Sequence, residues 1–484
     1  MLENLKLSFD QYRNRWLIGI VCGVLILGLV ILASLNQTKP KSTAIASPAV
    51  ELTWWKTDIN PQVYQDTIQA FNQTPGNQNV RINIVTKETN NKYYRDLVED
   101  LAQNIGPDIF SLANDDLPAY QKFLSPIDVF KGKELTDYKQ NFAYLAVRET
   151  ISKDKVYGIT SYIDNLQLYY NKTILTQNQQ ASPPTKWEEI SKQIDYFSKK
   201  VLGSDKFIQS TIALGTGGRS ALGPTTSNIP LHPDILPLLM FQFGGQMYDY
   251  QTEENAMLKG ENATRKPGIS EQVIDENSPI YRAMRFYRDF GDSTTSRYNW
   301  NNNNIAADDM FAQGNLAYNI QYSSFANQVK KKNPRLEFSV TAIPQFNDQI
   351  KKTYGKFQMD SLNRKLINDS TTSPTGKIKY QKAQEFLFYL SSKNAQTDFA
   401  TKTGLPGAHN EVIKSQLNGD QQSRIFAAGS LYSDNYYKPD VTKVNLMWSK
   451  LFDRIQYENI SLTESIQRAS DEYDLIINDT PKIR

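Results

Sequence analysis

Apolar residues follow two regimes along this chain. From Trp16 to Leu35 they are continuous: WLIGIVCGVLILGLVILASL carries no charge over twenty residues, the length a helix needs to cross a bilayer core of about 30 Å. Beyond it the pattern becomes periodic. Glu51 to Trp55 reads as a short strand, and Tyr64, Ile68 and Phe71 recur at helical spacing. Val80, Ile82 and Ile84 alternate with Arg81 and Asn83 as a half-buried strand would. Tyr94, Leu97, Val98, Leu101 and Ile105 share one helical face, which Gly106-Pro107 should stop before a strand at Asp108-Ile109-Phe110. Strand–helix–strand–helix–strand predicts a parallel sheet covered by helices on both faces. Ligands of such sheets sit beyond the carboxyl ends of the strands, here marked by Trp54-Trp55 and Asn114-Asp115-Asp116. A second block repeats the alternation at Leu166, Leu168 and Tyr170. Pro183 to Ile190 then opens a helix, with Thr185 as the expected N-cap and Glu188 as its capping-box partner. Ala383, Phe386, Leu387 and Leu390 mark a further helix, the last forty residues read as helical, and Asn299 to Asn304 reads as a loop around Trp300.

The apolar run has three competing readings. Cys22 follows Gly19-Ile20-Val21 and is itself followed by more apolar residues, which argues against a lipidation signal. Ala44-Ile45-Ala46 has the small-x-small form of a cleavage site but stands far beyond the run, which is longer than a secretory core. An uncleaved anchor is the expected state, with residues 1–15 cytoplasmic and 36–50 a polar, proline-containing linker. Lys6, Arg13 and Arg15 precede the span and Lys39 and Lys41 follow it, so charge alone orients it weakly.

Composition narrows the chemistry. Cys22 is the one cysteine, and His232 and His409 are the two histidines. That excludes a disulfide framework, thiol catalysis and almost every zinc site built on Cys and His. A net charge of +3 leaves no electrostatic footprint for nucleic acid. The aspartate pairs 115–116 and 308–309 are sequence neighbours whose side chains diverge, so neither forms a hydrolase dyad. The run LGTGGRSALG at 214–223 lacks the Walker lysine spacing and reads as a loop.

Six segments, in order, resemble the extracellular solute-binding proteins of ABC importers, in the sugar-binding branch that includes maltodextrin-binding proteins. They are GPDIFSLANDD at 106–116, VYGITSYIDNLQLYYNKTIL at 156–175, PPTKWEEI at 183–190, LLMFQFGGQMYD at 238–249, FAQGNLAYNIQYSSFAN at 311–327 and KAQEFLFYLSSKNAQTDFATKTGLPG at 382–407. The resemblance implies an α/β fold of the two-lobed periplasmic-binding type (type II), preceded by the one transmembrane helix. Its lobes would be 51–163 with 358–424, and 164–357 with 425–484, closing on a ligand about a hinge. It also implies a non-enzymatic receptor, with an ABC permease as partner and a sugar or similar polyol as cargo. The membrane would be met through residues 16–35 and the soluble part would lie outside the cytoplasm. No cofactor, metal or nucleic acid is expected, and the expected state is a monomer.

Carried over position by position, the family pattern makes Trp55 one wall of the site and Asp115 and Asp164 its acidic contacts. Tyr162 and Asn165 flank Asp164, and Gly244-Gly245 would admit the ligand to the backbone. Tyr322 and Ser323 fall in an aromatic contact segment, and Trp448 would offer a further aromatic. Trp55 and Trp448 read equally well as core residues, and either aspartate could cap a turn. Trp54, on the opposite strand face, and Trp187 read as structural. The chain departs from the branch at Asp116, where a basic residue is common, at Leu112, which replaces an aromatic, at Tyr318, where methionine is usual, and at Ser323-Ser324, where tryptophan is expected. Two rival readings are a membrane-anchored sensor or interaction module using the same fold, and an envelope enzyme acting on glycans. The second would need a catalytic pair that the sequence does not present.

Overall fold

The computed structural model describes residues 50–57, 59–217, 227–248 and 274–479. The apolar run 16–35, most of its linker and residues 218–223 of the glycine-rich run lie outside the described residues. Among the described residues, no helix is long and apolar enough to cross a membrane.

Two sheets, each with its own hydrophobic core, make up the body of the chain. In the first, Val80–Lys87, Val50–Thr57 and Ile109–Ala113 run parallel in that spatial order, and Gln358–Asn363 joins antiparallel on the far side of Ile109–Ala113. Val50, Leu52 and Trp54 point into the core while Glu51 faces solvent, as period-two alternation requires. Trp54 is fully buried, and its indole N–H donates to Asp360 at 3.0 Å. Lys56 follows it inward and pairs with the same carboxylate at 2.7 Å, both side chains being almost wholly buried. Ser111 supplies a further hydrogen bond to Asp360, so the buried pair is satisfied rather than left bare.

In the second sheet, Asp164–Asn171 is the central strand. Leu316–Tyr322, Phe338–Thr341 and Thr353–Lys356 all pair with it antiparallel, and Phe207–Ile212 extends the sheet parallel to Leu316–Tyr322. Asp164–Asn171 and Leu316–Tyr322 are buried along almost their whole length, so the alternation expected at Leu166, Leu168 and Tyr170 marks no solvent face. Helices Val441–Gln456 and Leu462–Asp479 pack into this core.

Several element ends differ from expectation. Helix Trp187–Phe197 starts at Lys186, and Glu189, not Glu188, accepts from the Thr185 and Lys186 backbone N–H groups; Glu188 pairs with Lys192 instead. Helix Asn91–Ala102 ends before Gly106, where Asn104 turns to a left-handed conformation. Trp54, Trp187 and Trp300 are all core residues, Trp187 donating to Gln242 and Trp300 to Asn228.

Among the described residues, the chain passes between the cores three times: at Ile163-Asp164, at Lys356-Phe357, and within helix Gln421–Tyr432, where Phe426 belongs to one core and Ala427 to the other. The first two passages lie side by side, with Lys356 opposite Asp164 and Met359 opposite Thr160. Asn165 ties them to the third, donating to the carbonyls of Ile163 at 3.0 Å and Phe426 at 3.1 Å. Gly429 makes this approach possible, because a Cβ there would lie 2.1 Å from Asn165 Oδ1 and 2.4 Å from Gln167 Nε2. Gly429→Ala should therefore destabilise the protein by about 1–3 kcal/mol through overpacking, although alanine favours a helix interior by about 1 kcal/mol. Urea unfolding of the two proteins would measure the difference, and an unchanged midpoint would refute the packing argument.

Candidate functional site

A cavity of about 700 Å³ opens where the strand ends of the two sheets face each other. Its lining alternates between the halves: Tyr94, Asp115, Asp116 and Tyr162 come from the first, and Asp164, Ser324, Lys331 and Lys356 from the second. Asp115 and Asp116 stand in the turn Asn114–Asp116 that terminates strand Ile109–Ala113. Asp115 Oδ2 lies 2.6 Å from Lys438 Nζ, and its Oδ1 accepts from Asn435 at 2.9 Å. Asp116 is half-buried on the cavity wall, and desolvation raises its carboxyl to about 6 even though the Tyr94 hydroxyl hydrogen-bonds it. Tyr162 is half-buried, its ring stacked on Phe399 with 16° between the planes.

On the opposite wall, Asp164 accepts from the backbone N–H of Ser324 at 3.1 Å. Burial pushes its carboxyl upward, opposed by that hydrogen bond and by Lys356. Lys356 lies 4.0 Å from the centre of the Tyr322 ring and 3.3 Å from Asp234, to which the Tyr322 hydroxyl donates at 2.8 Å. Such a wall can accept hydrogen bonds at two or three carboxylates, donate them from lysines, and cover an apolar face with Tyr162.

Of the expected site residues, the structure brings Asp115, Tyr162 and Asp164 together on this cavity. It places the others elsewhere. Trp55 does not line it; the ring packs beside Tyr93 with the Lys87 ammonium 4.1 Å above it. Trp448 is buried and donates to Tyr436 Oη at 3.0 Å. Asn165 is wholly buried between the crossings. Tyr322 and Ser323 lie behind the wall, Ser323 bonded to the Asn165 carbonyl, and the neighbouring Ser324 faces the cavity. Gly244, at φ +85°, terminates helix His232–Gln242, and Gly245 is packed against Met240 and Pro279. Both glycines line a separate cavity of about 430 Å³ with Tyr144, Arg148, Lys352 and Asp434. There Asp434 bridges the halves, 2.6 Å from each of Arg148 and Lys352. Lys438, Asn435, Lys356 and Asp234 escape a sequence reading because nothing periodic marks them; only folding sets them beside the aspartates.

Among the described residues, no three His, Cys, Asp or Glu side chains are grouped to hold a metal. His409 caps helix Asn410–Leu417, and His232 is fully buried with Nδ1 3.0 Å from the Ile229 carbonyl.

Two halves with separate cores, joined by short crossings around a cleft lined from both, are the architecture of a solute-binding protein. The family model described as bacterial extracellular solute-binding protein matches residues 66–420, and the chain belongs to that family. A galactooligosaccharide-binding protein of Bacillus subtilis (strain 168) is 20% identical over 448 residues, 90% of this chain and 91% of its own. A binding protein of Brucella abortus (strain 2308) is 21% identical over 294 residues, so the chain matches only 60% of that relative's length and 61% of its own. Among solved structures, the GacH receptor of Streptomyces glaucescens, determined unliganded and with acarbose, superposes with a TM-score of 0.64 at 16% identity. That match covers 89% of this chain and 98% of the receptor. The cyclic α-maltosyl-1,6-maltose binding protein of Arthrobacter globiformis gives a TM-score of 0.66 at 14% identity, covering 89% and 99%.

Two desolvated groups, buried His232 and half-buried Asp116, set opposing acid responses. Burial holds His232 down at about 4 against 6.5. The unfolded chain therefore takes that proton first, and stability falls as pH drops from about 6.5 to 4. Asp116, raised from 3.8 to about 6, is protonated first in the folded state, so its contribution to stability rises as pH falls through about 6 to 4. Each is limited to about 1.4 kcal/mol per pH unit. Relative to the parent, Asp116→Asn should lose stability more steeply on acidification from pH 6 to 4, and His232→Gln less steeply. Thermal unfolding across that range tests both, and parallel curves for all three proteins would refute the assignment.

Proposed function

We propose that this chain is a non-enzymatic receptor that captures an oligosaccharide in the cleft by closure of its two halves and delivers it to an ABC permease. One observation carries the reading: a cavity of about 700 Å³ whose walls come from separately cored sheets and present carboxylates, lysines and a stacked tyrosine. Sugars offer hydroxyl rims and apolar C–H faces, which that set of groups matches. The galactooligosaccharide-binding relative, the receptor solved with acarbose and the cyclic α-maltosyl-1,6-maltose binding protein support the same class of cargo. The lobes we assign, 51–163 with 358–424 and 164–357 with 425–484, are supported by where the chain changes core. Closure about the crossings would bring Asp115, Tyr162 and Asp164 onto one ligand, and the closed form would be what the permease reads.

The run Trp16 to Leu35 is proposed as the anchor that keeps the receptor at the membrane, on its extracytoplasmic side. The linker that follows, residues 36–50, would span roughly 20 Å as a coil and hold the receptor near its permease at an effective concentration on the order of millimolar.

The test is a thermal-shift screen of the full chain against galacto- and malto-oligosaccharides, polyols, amino acids and peptides. A ligand at 100 times its Kd stabilises the native state by about 2.7 kcal/mol, so a glycan-specific rise in melting temperature is expected. Asp164→Asn should weaken that glycan's binding roughly tenfold or more, as loss of a charged hydrogen-bond acceptor does. Silence across all glycans would overturn the cargo assignment. An unchanged Kd for Asp164→Asn would remove Asp164 from the site.

A further inference from the structure

Lys438 is a buried cation in the second half whose carboxylate belongs to the first. Its side chain is 2% exposed, and Asp115 is the only carboxylate among the described residues within ion-pair distance of it. Its remaining contacts come from its own half: the Tyr354 hydroxyl accepts from the ammonium, and the Tyr354 and Tyr436 rings lie 5.1 and 4.7 Å from it. Tyr354 is itself fixed by donating to Asn435 Oδ1 at 2.8 Å, and Asn435 donates from Nδ2 to Asp115 at 2.9 Å. Neighbouring Tyr436 is held by the Trp448 indole. The cation is thus rigidly seated, while Asp115 reaches it from a short turn at the cavity wall.

A buried ammonium without a counter-ion is strongly disfavoured. Any rotation of the halves that drew Asp115 away would leave Lys438 without a carboxylate in contact, among tyrosines that supply hydroxyls and ring faces, with Asp234 of its own half acting on it only at longer range. We propose that Lys438 is the positioning residue of the cleft: it aims Asp115 at the cavity, and the same ion pair fixes the angle between the halves. Ligand capture at Asp115 and the inter-half angle are thereby one equilibrium, so a group that competes with Lys438 for Asp115 also shifts the angle. This rests on the cleft being the receptor site, but the angle can be measured with no ligand present.

The experiment places spin labels at Val98→Cys in the first half and Ile208→Cys in the second, both partly exposed positions. Cys22 is replaced by Ser, and the full chain is held in nanodiscs. The parent should give one narrow inter-label distance distribution. K438M and D115N should each shift or broaden it, and each should weaken binding of a galacto-oligosaccharide mixture at least tenfold. Because both variants remove one shared interaction, D115N/K438M should bind no more weakly than the worse single variant. A parent-like distribution in K438M overturns the proposal, as does a double variant whose loss equals the product of the two single losses. If K438M does not fold, D115N decides alone, since its side chain sits at the solvent-reached wall, and an unchanged distribution there also overturns it. If no glycan binds the parent while the distributions shift as expected, the cargo reading fails and the positioning role stands.

Discussion

Asn165 stands one residue past the point where the chain first leaves one hydrophobic core for the other, and the geometry of the molecule hangs on its amide. With no solvent to satisfy it, the side chain bonds the carbonyl of the crossing it belongs to and a carbonyl of the helix that carries the last crossing. A buried amide has few ways to be satisfied, and losing one partner costs its full desolvation. The three passages are therefore locked into one bundle, tight enough that residue 429 has no room for a side chain. The two sheets can then be cored independently, because the bundle ties them together without a shared apolar interface. That is what leaves the space between their strand ends free for polar groups.

The same division explains where charge is placed. Lys56 and Asp360 neutralise each other inside the first half, which adds rigidity there and nothing between the halves. Asp115–Lys438 and Arg148–Asp434 instead join one half to the other. Ion pairs of this kind are poor sources of net stability, since desolvation opposes their attraction, but they penalise misalignment sharply. Their function in this fold is accordingly geometric. Asp164, satisfied by the Ser324 N–H, and Asp234, satisfied by Tyr322 and Lys356, show the same economy within the second half. Each carboxylate is oriented by a donor before any ligand arrives.

Local chemistry made part of this legible in the sequence. The strand at residues 51–55 and the alternation at 80–84 follow from side-chain period, and Trp54 and Trp187 read correctly as core residues. Helix ends were less legible: Glu188 and Glu189 are chemically equivalent, and only the helix's rotation decides which carboxylate reaches back to residues 185 and 186. Site residues were least legible, because a tryptophan at a strand end is attractive to a ligand or to its own neighbours depending on contacts made far along the chain. Trp55 finds Tyr93 and Lys87, and Trp448 finds Tyr436. Their partners are ordinary residues in ordinary places, so no motif announces them.

Removing those two tryptophans from the cleft changes what the cleft asks of a ligand. Leu112, where the related branch has an aromatic, is also fully buried, so it offers no flat face either. Tyr162, stacked on Phe399, remains with Tyr94 and Phe357 as aromatic lining beside carboxylates, amides and lysines. Stacking rewards a ligand for apolar faces whatever its hydroxyl stereochemistry, whereas fixed acceptors reward hydroxyls only when they point at them. Under the receptor reading, the three aspartates of the lining would select by the geometry of the hydroxyl rim, beside the apolar and aromatic groups that cover a sugar's C–H faces. Discrimination among glycans would then rest on Asp115 and Asp164, whose directions are set by Lys438 and Ser324.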